Sequence, residues 1–326
     1  PFLFACATPA LQPPTTQTTN NRDGLNAQLV VEGPLDSRLA QGDDADLVIF
    51  FGGEERGSLE PCGCPNRPRG GIARMARYIH ASHDANPGQR QLLLNGGYWL
   101  EDAVSLDGSP RPDVPVLNRW MVAGMQQVGF SALNIAYNDI GGLNSLDETT
   151  ALPMVSANIS GPGITPWEIV EWEDLRVGIM GISTPGVAFI ETPGFEINPP
   201  AEAGMAVLSE LAPQVDFVIV MAYRATEAAQ KLARSGQVDV IIDTNQYREV
   251  YEPFREGGAI WVRSHFQTMR LGELRIGLNA DQEISWALDR RIDLDPEIPN
   301  RSDEAVLVRS AREEIDVVQK ELYRRD

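Results

Sequence analysis

Short apolar runs alternate with segments of helical periodicity between residues 44 and 278, and this alternation restricts the fold more than any other feature. The run 47–51, LVIFF, is continuously apolar, as in a strand buried on both faces. Because strands alternate with helices, the sequence predicts an α/β fold with a mostly parallel sheet covered on both faces and antiparallel strands added later. The predicted strands are 47–51, 91–95, 132–135, 153–158, 169–172, 176–182, 217–222, 238–242, 259–264 and 271–278, and the predicted helices are 71–80, 116–129, 201–211 and 227–235.

The last segment, residues 301–326, is predicted to be an amphipathic C-terminal helix. Its apolar residues recur at spacings of three and four, which is the helical period; they are Val308, Ala311, Ile315, Val318 and Leu322. Such a helix either packs on its own domain or docks on a partner.

The first residues resemble the end of a bacterial lipoprotein signal peptide. Leu3-Phe4-Ala5-Cys6 is similar to a lipobox, and the resemblance implies a covalent lipid on Cys6. The alternative is the tail of an ordinary signal peptide, and either interpretation places the protein outside the cytoplasm. Ala7 after the cysteine favours the outer membrane. Residues 7–43 are polar and lack periodicity, so we expect a flexible tether.

Charge excludes one class of partner. The chain has 27 Lys and Arg against 46 Asp and Glu, a net charge of −19. Such a chain repels phosphate backbones, so we expect no nucleic-acid partner. We expect a protein partner in the cell envelope and attachment to the membrane through the lipid.

Five segments in order resemble motifs of the metallophosphatase domain of the 5′-nucleotidase family. They are 70–74 (GGIAR), 152–159 (LPMVSANI), 178–182 (GIMGI), 216–220 (DFVIV) and 238–242 (VDVII). The resemblance implies a layered α/β/β/α sandwich of mixed sheets over residues 44–300, followed by the C-terminal helix.

The metal ligands of that family are missing here. The family hydrolyses phosphate esters with two metal ions, which require oxygen and imidazole ligands. The matching positions hold Glu54, Arg56, Asn95, Tyr98, Asn138, Tyr223, Asn245 and Tyr247, and none is a histidine. The resemblance therefore implies a degenerate dinuclear site. Only Glu54 and Asp139 remain as weak metal candidates, and we expect no resident metal or cofactor.

The loop Glu60-Pro61-Cys62-Gly63-Cys64-Pro65 lies between the first predicted strand, 47–51, and the first predicted helix, 71–80. A similar stretch occurs in a divergent extracytoplasmic branch of the family. Cys62 and Cys64 could form a disulfide, act as a redox pair, bind a soft metal such as Cu(I) or zinc, or remain inert thiols.

The favoured hypothesis is a non-catalytic extracytoplasmic lipoprotein that uses a degenerate metallophosphatase fold for binding or assembly, as an accessory subunit of an envelope complex. No catalytic residue is assigned under it. One alternative is a redox or soft-metal protein acting through Cys62 and Cys64. Another is a residual metal-dependent phosphoesterase that uses Glu54, Asn95 and Asp139.

Overall fold

The computed structural model describes residues 18–20, 24–40, 43–105, 109–146, 151–185, 192–245 and 252–322. Its helices are α1 (Leu35–Arg38), α2 (Ile72–Ala85), α3 (Val114–Val128), α4 (Asp139–Asn144), α5 (Pro200–Leu211), α6 (Thr226–Ala233) and α7 (Ser302–Leu322). Its strands are β1 (Thr18–Asn20), β2 (Leu25–Val31), β3 (Leu47–Gly52), β4 (Arg90–Asn95), β5 (Ala132–Asn134), β6 (Met154–Val155), β7 (Ile159–Ser160), β8 (Ile164–Thr165), β9 (Trp167–Glu171), β10 (Arg176–Ser183), β11 (Glu196–Ile197), β12 (Phe217–Tyr223), β13 (Val240–Thr244), β14 (Phe254–Glu256), β15 (Ala259–Arg263), β16 (Arg270–Leu278) and β17 (Ile284–Asp293).

Two mixed sheets carry most of the strands. The larger sheet has the order β1-β2-β17-β16-β3-β4-β5-β6-β8, and the smaller has the order β14-β15-β13-β12-β10-β9. Strand β3 runs parallel to β4 and antiparallel to β16. In the smaller sheet β10, β12, β13 and β15 are parallel, while β9 and β10 pair antiparallel as a hairpin. The carboxyl ends of β3, β4, β12 and β13 therefore meet at one edge of the molecule.

The core has three apolar layers. Phe51 and Leu94 of the larger sheet pack with Ile219 and Ile242 of the smaller sheet between the two. The outer face of the larger sheet is covered by residues of α2 and α3, and that of the smaller sheet by residues of α5 and α6. The layers are α/β/β/α, so the predicted sandwich of mixed sheets is confirmed.

Helix α3 shows how local sequence sets an element. It begins after Asp113 with proline in its first turn, where a missing N–H costs nothing. Met121 and Met125 lie on the buried face at a spacing of four residues. Gly129 ends the helix with a φ of 83°, a left-handed conformation that glycine adopts without strain.

The flexible-tether prediction for residues 7–43 is wrong for residues 24–40. Strand β2 pairs in parallel with β17, and Leu25 and Ala27 are buried. The alternating burial at 25, 27 and 31 is the strand period that the prediction overlooked. Arg38 is also buried and donates to Asp295 at 2.6 Å. Cys6 lies outside the described residues.

Strand β17 and the short helix α4 were not predicted. Residues 289–291 of β17 are charged, which is unusual for a buried strand. They are tolerated because Arg290 pairs with Glu273 at 2.7 Å and Arg291 pairs with Asp289 at 2.7 Å.

The predicted C-terminal helix is α7, which packs against α2 and α3 of the same chain. Its buried residues are Glu304 and Ala311, and Trp120 of α3 donates to Glu314 at 2.7 Å. The predicted end beyond residue 322 lies outside the described residues. Within the described part of the chain, no helix combines the length and apolar character that crossing a bilayer requires.

Candidate functional site

The edge where β3, β4 and β12 end brings together most of the positions predicted from the sequence. Glu54 follows β3, and its backbone N–H donates to the carbonyl of Gly97 at 2.9 Å. The backbone N–H of Arg56 donates to Tyr98 at 3.1 Å. The rings of Tyr98 and Tyr223 meet edge to face with centroids 6.1 Å apart. We call Glu54, Arg56, Tyr98, Tyr223 and Arg224 the strand-end cluster.

Glu54 is the acidic centre of this cluster. Its side chain is only 2% exposed, and Arg224 Nη2 lies 3.3 Å from Oε1. Arg56 Nη2 lies 3.8 Å from Oε2. Burial raises the pKa of Glu54 above its ordinary value, although both arginines act in the opposite direction. The carboxylate is thus held from both sides by guanidinium groups.

Aromatic rings hold the two arginines in place. The Arg56 guanidinium lies 4.8 Å from the centroid of Tyr98 and 5.0 Å from that of Phe266. The Arg224 guanidinium lies 5.2 Å from the ring of Tyr223. Such cation–π contacts stabilise a guanidinium that is partly removed from water.

Four members of the cluster have strained backbones. The φ angles are 57° at Glu54, 51° at Arg56, 60° at Tyr98 and 52° at Arg224. Residues with side chains seldom adopt this left-handed region. Its repeated use at one edge indicates that the surrounding structure fixes these loops, as it does at functional sites.

Asn95 and Glu55 form a second, fully buried pair behind the cluster. Asn95 Nδ2 donates to Glu55 Oε2 at 2.8 Å, and Asn95 Oδ1 accepts from the backbone N–H of Gly97 at 2.9 Å. Thr268 donates to the other oxygen of Glu55. Burial raises the pKa of Glu55. Sequence reasoning missed Glu55; the signal was a second acidic residue directly after Glu54.

The carboxylate of Asp139 accepts hydrogen bonds from backbone N–H groups. Its Oδ2 accepts from the N–H groups of Tyr98 and Ala136, both at 2.8 Å, and Oδ1 accepts from Leu100 at 2.9 Å. Burial raises the pKa of Asp139 to about 7, against the effect of these donors. The carboxylate connects the loops after β4 and β5.

Two of the remaining predicted positions, Asn138 and Asn245, are not members of the strand-end cluster. Asn138 is half-buried just before α4. Asn245 Nδ2 lies 3.5 Å from Thr226 Oγ1. Tyr247 lies outside the described residues. His265 is not among the predicted positions; its Nδ1 lies 3.1 Å from the carbonyl of Phe266, and burial lowers its pKa to about 4.

Cys62 and Cys64 lie in a loop beside this edge with their sulfur atoms 3.2 Å apart, as free thiols. Cys62 is half-buried and accepts from the backbone N–H of Arg69 at 3.2 Å, whereas Cys64 is exposed. Burial opposes ionisation of Cys62, but donors from Arg69 and Cys64 outweigh it and lower its pKa. The hydrogen bond to Cys62 and the charge of Cys62 raise the pKa of Cys64.

Cys62 lines a cavity of about 480 Å³ between its loop, the segment around residues 101–113 and α7. We call this the loop cavity. Arginines and carboxylates share its wall: Arg56, Arg69, Arg111, Arg312, Glu60, Glu101 and Asp113. Its volume is in the range of small-molecule sites.

Solved structures share this architecture. Sulfate thiohydrolase SoxB from Thermus thermophilus superposes with a TM-score of 0.68 at 13% identity, over 83% of this chain and 61% of that one. A 5′-nucleotidase precursor from the same organism gives 0.64 at 18% identity, over 84% and 59%. NAD nucleotidase from Haemophilus influenzae gives 0.65 at 13% identity, over 83% and 60%. The fold is that of the 5′-nucleotidase-like metallophosphatases. This chain spans about three fifths of the length of these structures.

The similarity of this chain to known proteins is weaker in sequence than in fold. A scan against protein-family models found no match. A search of curated proteins found no match. The metallophosphatase fold is therefore established by structure, while the chemistry has to be judged from the side chains at the strand ends.

The side chains do not fit the metal pair of the metallophosphatase fold. Glu54 is held by two arginines, Glu55 by Thr268 and Asn95, and Asp139 by three backbone N–H groups. Among the residues that the structure describes, no group of three His, Cys, Asp or Glu side chains could hold a metal ion. A divalent cation would also meet the positive charges of Arg56 and Arg224.

Proposed function

We propose that the protein is an extracytoplasmic binding or assembly module that uses the metallophosphatase fold without hydrolysing phosphate esters. One observation carries the proposal: the buried carboxylate of Glu54 is held between Arg56 and Arg224. An arginine supplies fixed positive charge and hydrogen-bond donors. It cannot lower the pKa of a water molecule as a coordinating metal ion does.

Attachment and partners extend this proposal. A lipid on Cys6 would hold the domain at the membrane, and a protein partner in the cell envelope would make it an accessory subunit. The lipobox-like residues 3–6 support the lipid, and α7, with exposed Val306 and Val317, offers a surface for a partner.

The test measures the metal content and the phosphate-ester hydrolysis of one preparation. We expect the purified chain to hold less than stoichiometric Mn, Zn, Mg or Ca and to show no turnover of nucleotide or nitrophenyl phosphates in any of these ions. Native mass spectrometry of material isolated from its own membranes should show a lipid adduct and a bound protein. Stoichiometric metal with turnover that Glu54→Gln and Asp139→Asn both abolish would overturn the proposal in favour of a residual phosphoesterase.

A second candidate function is redox or soft-metal chemistry at Cys62 and Cys64. It is favoured by the 3.2 Å separation of the two sulfur atoms beside the loop cavity. Cys62→Ser should then abolish function in cells while the domain stays folded. Full activity of the double serine variant in cells would overturn this candidate.

A further inference from the structure

The loop that carries the two cysteines places them in unequal environments. Cys62 lies on the wall of the loop cavity, half-buried, while Cys64 is exposed. The backbone of Cys62 is fixed at Arg69, with Cys62 N–H donating to the Arg69 carbonyl at 2.8 Å. A Cβ added at Gly63 would meet nothing within 4 Å, so the tip of the loop has free space around it. One cysteine thus lines a cavity, and its neighbour is accessible from solvent.

Two arginines act on the sulfur of Cys62, although both also interact with carboxylates: Arg69 Nε lies 2.9 Å from Asp293 Oδ1, and Arg74 interacts with Asp295. Arg69 and Arg74 both interact electrostatically with its sulfur. Arg74 is buried, and its Nη1 donates to the carbonyls of Pro68 at 2.6 Å and Leu294 at 3.1 Å. These cations stabilise a thiolate at Cys62, and a thiolate is the form that reacts with disulfides.

The arginines farther along the loop cavity are paired at its surface. Arg111 contacts Glu101 at 2.8 Å, and Arg312 contacts Glu60. These pairs are partly exposed, so each can exchange its carboxylate for that of a ligand at low cost. The wall carries four arginines against three carboxylates in a chain whose net charge is −19.

We infer that Cys62 and Cys64 form a dithiol–disulfide exchange centre for small disulfides that carry carboxylate groups, with Cys62 as the nucleophile. This inference rests on the second candidate function and names its reaction and its substrate class. The substrate lies in the loop cavity, with its carboxylates at the arginines and its disulfide at Cys62.

The reaction proceeds in two exchanges. The Cys62 thiolate attacks one sulfur of R–S–S–R, the S–S bond breaks, and R–S⁻ leaves while Cys62 holds the other half as a mixed disulfide. Cys64 then loses its proton to solvent and attacks the sulfur of Cys62 from 3.2 Å away. The second R–S⁻ leaves, and both leaving groups take protons from solvent. Two thiols are oxidised to one disulfide, and R–S–S–R is reduced to two R–SH.

The experiment uses the full chain, reduced and freed of reductant. It is mixed with 3,3′-dithiodipropionate, which is dianionic, with neutral bis(2-hydroxyethyl) disulfide, and with cationic cystamine. Intact-mass spectrometry follows the mixed disulfide in Cys64→Ser and the loss of two hydrogens in the wild type. We expect the dianion to react about tenfold faster than the neutral disulfide at low ionic strength, with the preference falling as salt is added.

Two variants test whether arginines of the loop cavity cause the preference for the dianionic disulfide. Arg69→Gln and Arg111→Gln should each reduce that preference. Arg119→Gln, on α3 in an exposed pair with Glu314, is the matched control and should leave it unchanged.

Three results would overturn parts of the inference separately. Equal rates for all three disulfides, or faster reaction of cystamine, would overturn the substrate class. Adduct formation on Cys64 of Cys62→Ser at the wild-type rate would overturn the choice of nucleophile. Reaction no faster than that of a free Cys-Gly-Cys peptide would overturn the exchange centre itself. The binding-module proposal depends instead on metal content and a bound partner, so it stands or falls independently.

Discussion

Glu54 shows at the scale of single residues how a carboxylate can stay buried without a metal ion. Its two oxygens face Arg224 and Arg56 at 3.3 and 3.8 Å, and the guanidinium groups are in turn held by Tyr223 and Tyr98. Each arginine replaces part of the charge of a metal ion with an immobile side chain. The cluster is therefore an ion network in which both carboxylate oxygens of Glu54 face guanidinium groups.

Glu54→Gln should lower the free energy of unfolding by about 2 kcal/mol, because the glutamine keeps the shape but leaves two guanidinium groups without their shared countercharge. Urea denaturation at neutral pH measures the change. The arginines are 25% and 29% exposed, which keeps the loss below that of a fully buried pair.

The control for this variant is Glu171→Gln. Glu171 pairs with Arg176 at 2.9 Å, but both side chains are largely exposed, so the loss should be below about 0.5 kcal/mol. Equal losses in the two variants would show that the arginines around Glu54 contribute nothing specific.

Sequence reasoning could predict part of this cluster. The resemblance aligned Glu54, Asn95, Tyr98 and Tyr223 with strand ends, and parallel strands bring such positions to one edge. It could not predict that Glu55 bonds Thr268, because the turn Phe266–Thr268 lies more than two hundred positions away and carries no motif.

At the scale of elements, β2 is the clearest addition to the predicted fold. Ala27→Asp should destabilise the protein by about 3 kcal/mol, because residue 27 is 1% exposed and an unpaired carboxylate would be buried there. The urea midpoint measures it. Asn26→Asp, one residue away on the other face of the strand, is the matched control and should have a much smaller effect. Indistinguishable midpoints for Ala27→Asp and the wild type would mean that this segment is a tether after all.

Helix α7 can be tested without disturbing the sheets. Ala311→Gln should weaken its packing, because Ala311 is 2% exposed within the apolar cluster and a longer polar side chain would disturb that packing. Hydrogen exchange should rise about tenfold or more within residues 302–322 while β3 and β12 stay protected. Glu313→Gln, at an exposed position of the same helix, should leave exchange unchanged. Faster exchange throughout the domain would show that α7 is part of the cooperative core.

Elements with a clean hydrophobic period were predictable, and those stabilised by long-range ion pairs were not. Strand β3 is buried at every residue and apolar from Leu47 to Phe51, so it can be recognised without knowing its partners. Strand β17 depends on Glu273 of β16 to neutralise Arg290, and no local pattern contains that information. Strand β2 has a recognisable alternation that was hidden by the polar run before it.

For the whole molecule, buried carboxyl groups set the dependence of stability on pH. Burial raises the pKa of Asp239 to about 6 and that of Asp289 to about 7, from ordinary values of 3.8. Between about pH 4 and pH 7 the folded chain therefore holds protons on these two groups that the unfolded chain has lost, which lowers stability as pH rises. His265, with a pKa lowered to about 4, acts in the opposite direction up to its ordinary pKa of 6.5, but it is one group against two. The melting temperature should be about 5 °C higher at pH 5 than at pH 8, as scanning fluorimetry can measure.

Asp239→Asn isolates one of these groups. Asp239 accepts from the backbone N–H of Val218 at 2.8 Å, and the amide oxygen of asparagine can accept the same bond. The variant should melt higher than the wild type at pH 8, and the difference should shrink as the pH falls towards 4, where Asp239 is protonated in the unfolded chain as well. Repeating the series in 0.5 M salt screens the repulsion of the −19 net charge. A variant that follows the wild-type curve at every pH would exclude Asp239 as a source of the effect.

The pairing of Glu54 with two arginines also has a consequence for metal binding. Restoring a histidine ligand at position 56 alone would leave Arg224 beside the same carboxylate, where its charge repels an incoming divalent ion. A histidine in place of Arg224 alone would meet the same obstacle from Arg56. We therefore expect neither single substitution to create a metal site. Metal binding at this edge would require both arginines to change together, because either one alone keeps a positive charge beside Glu54.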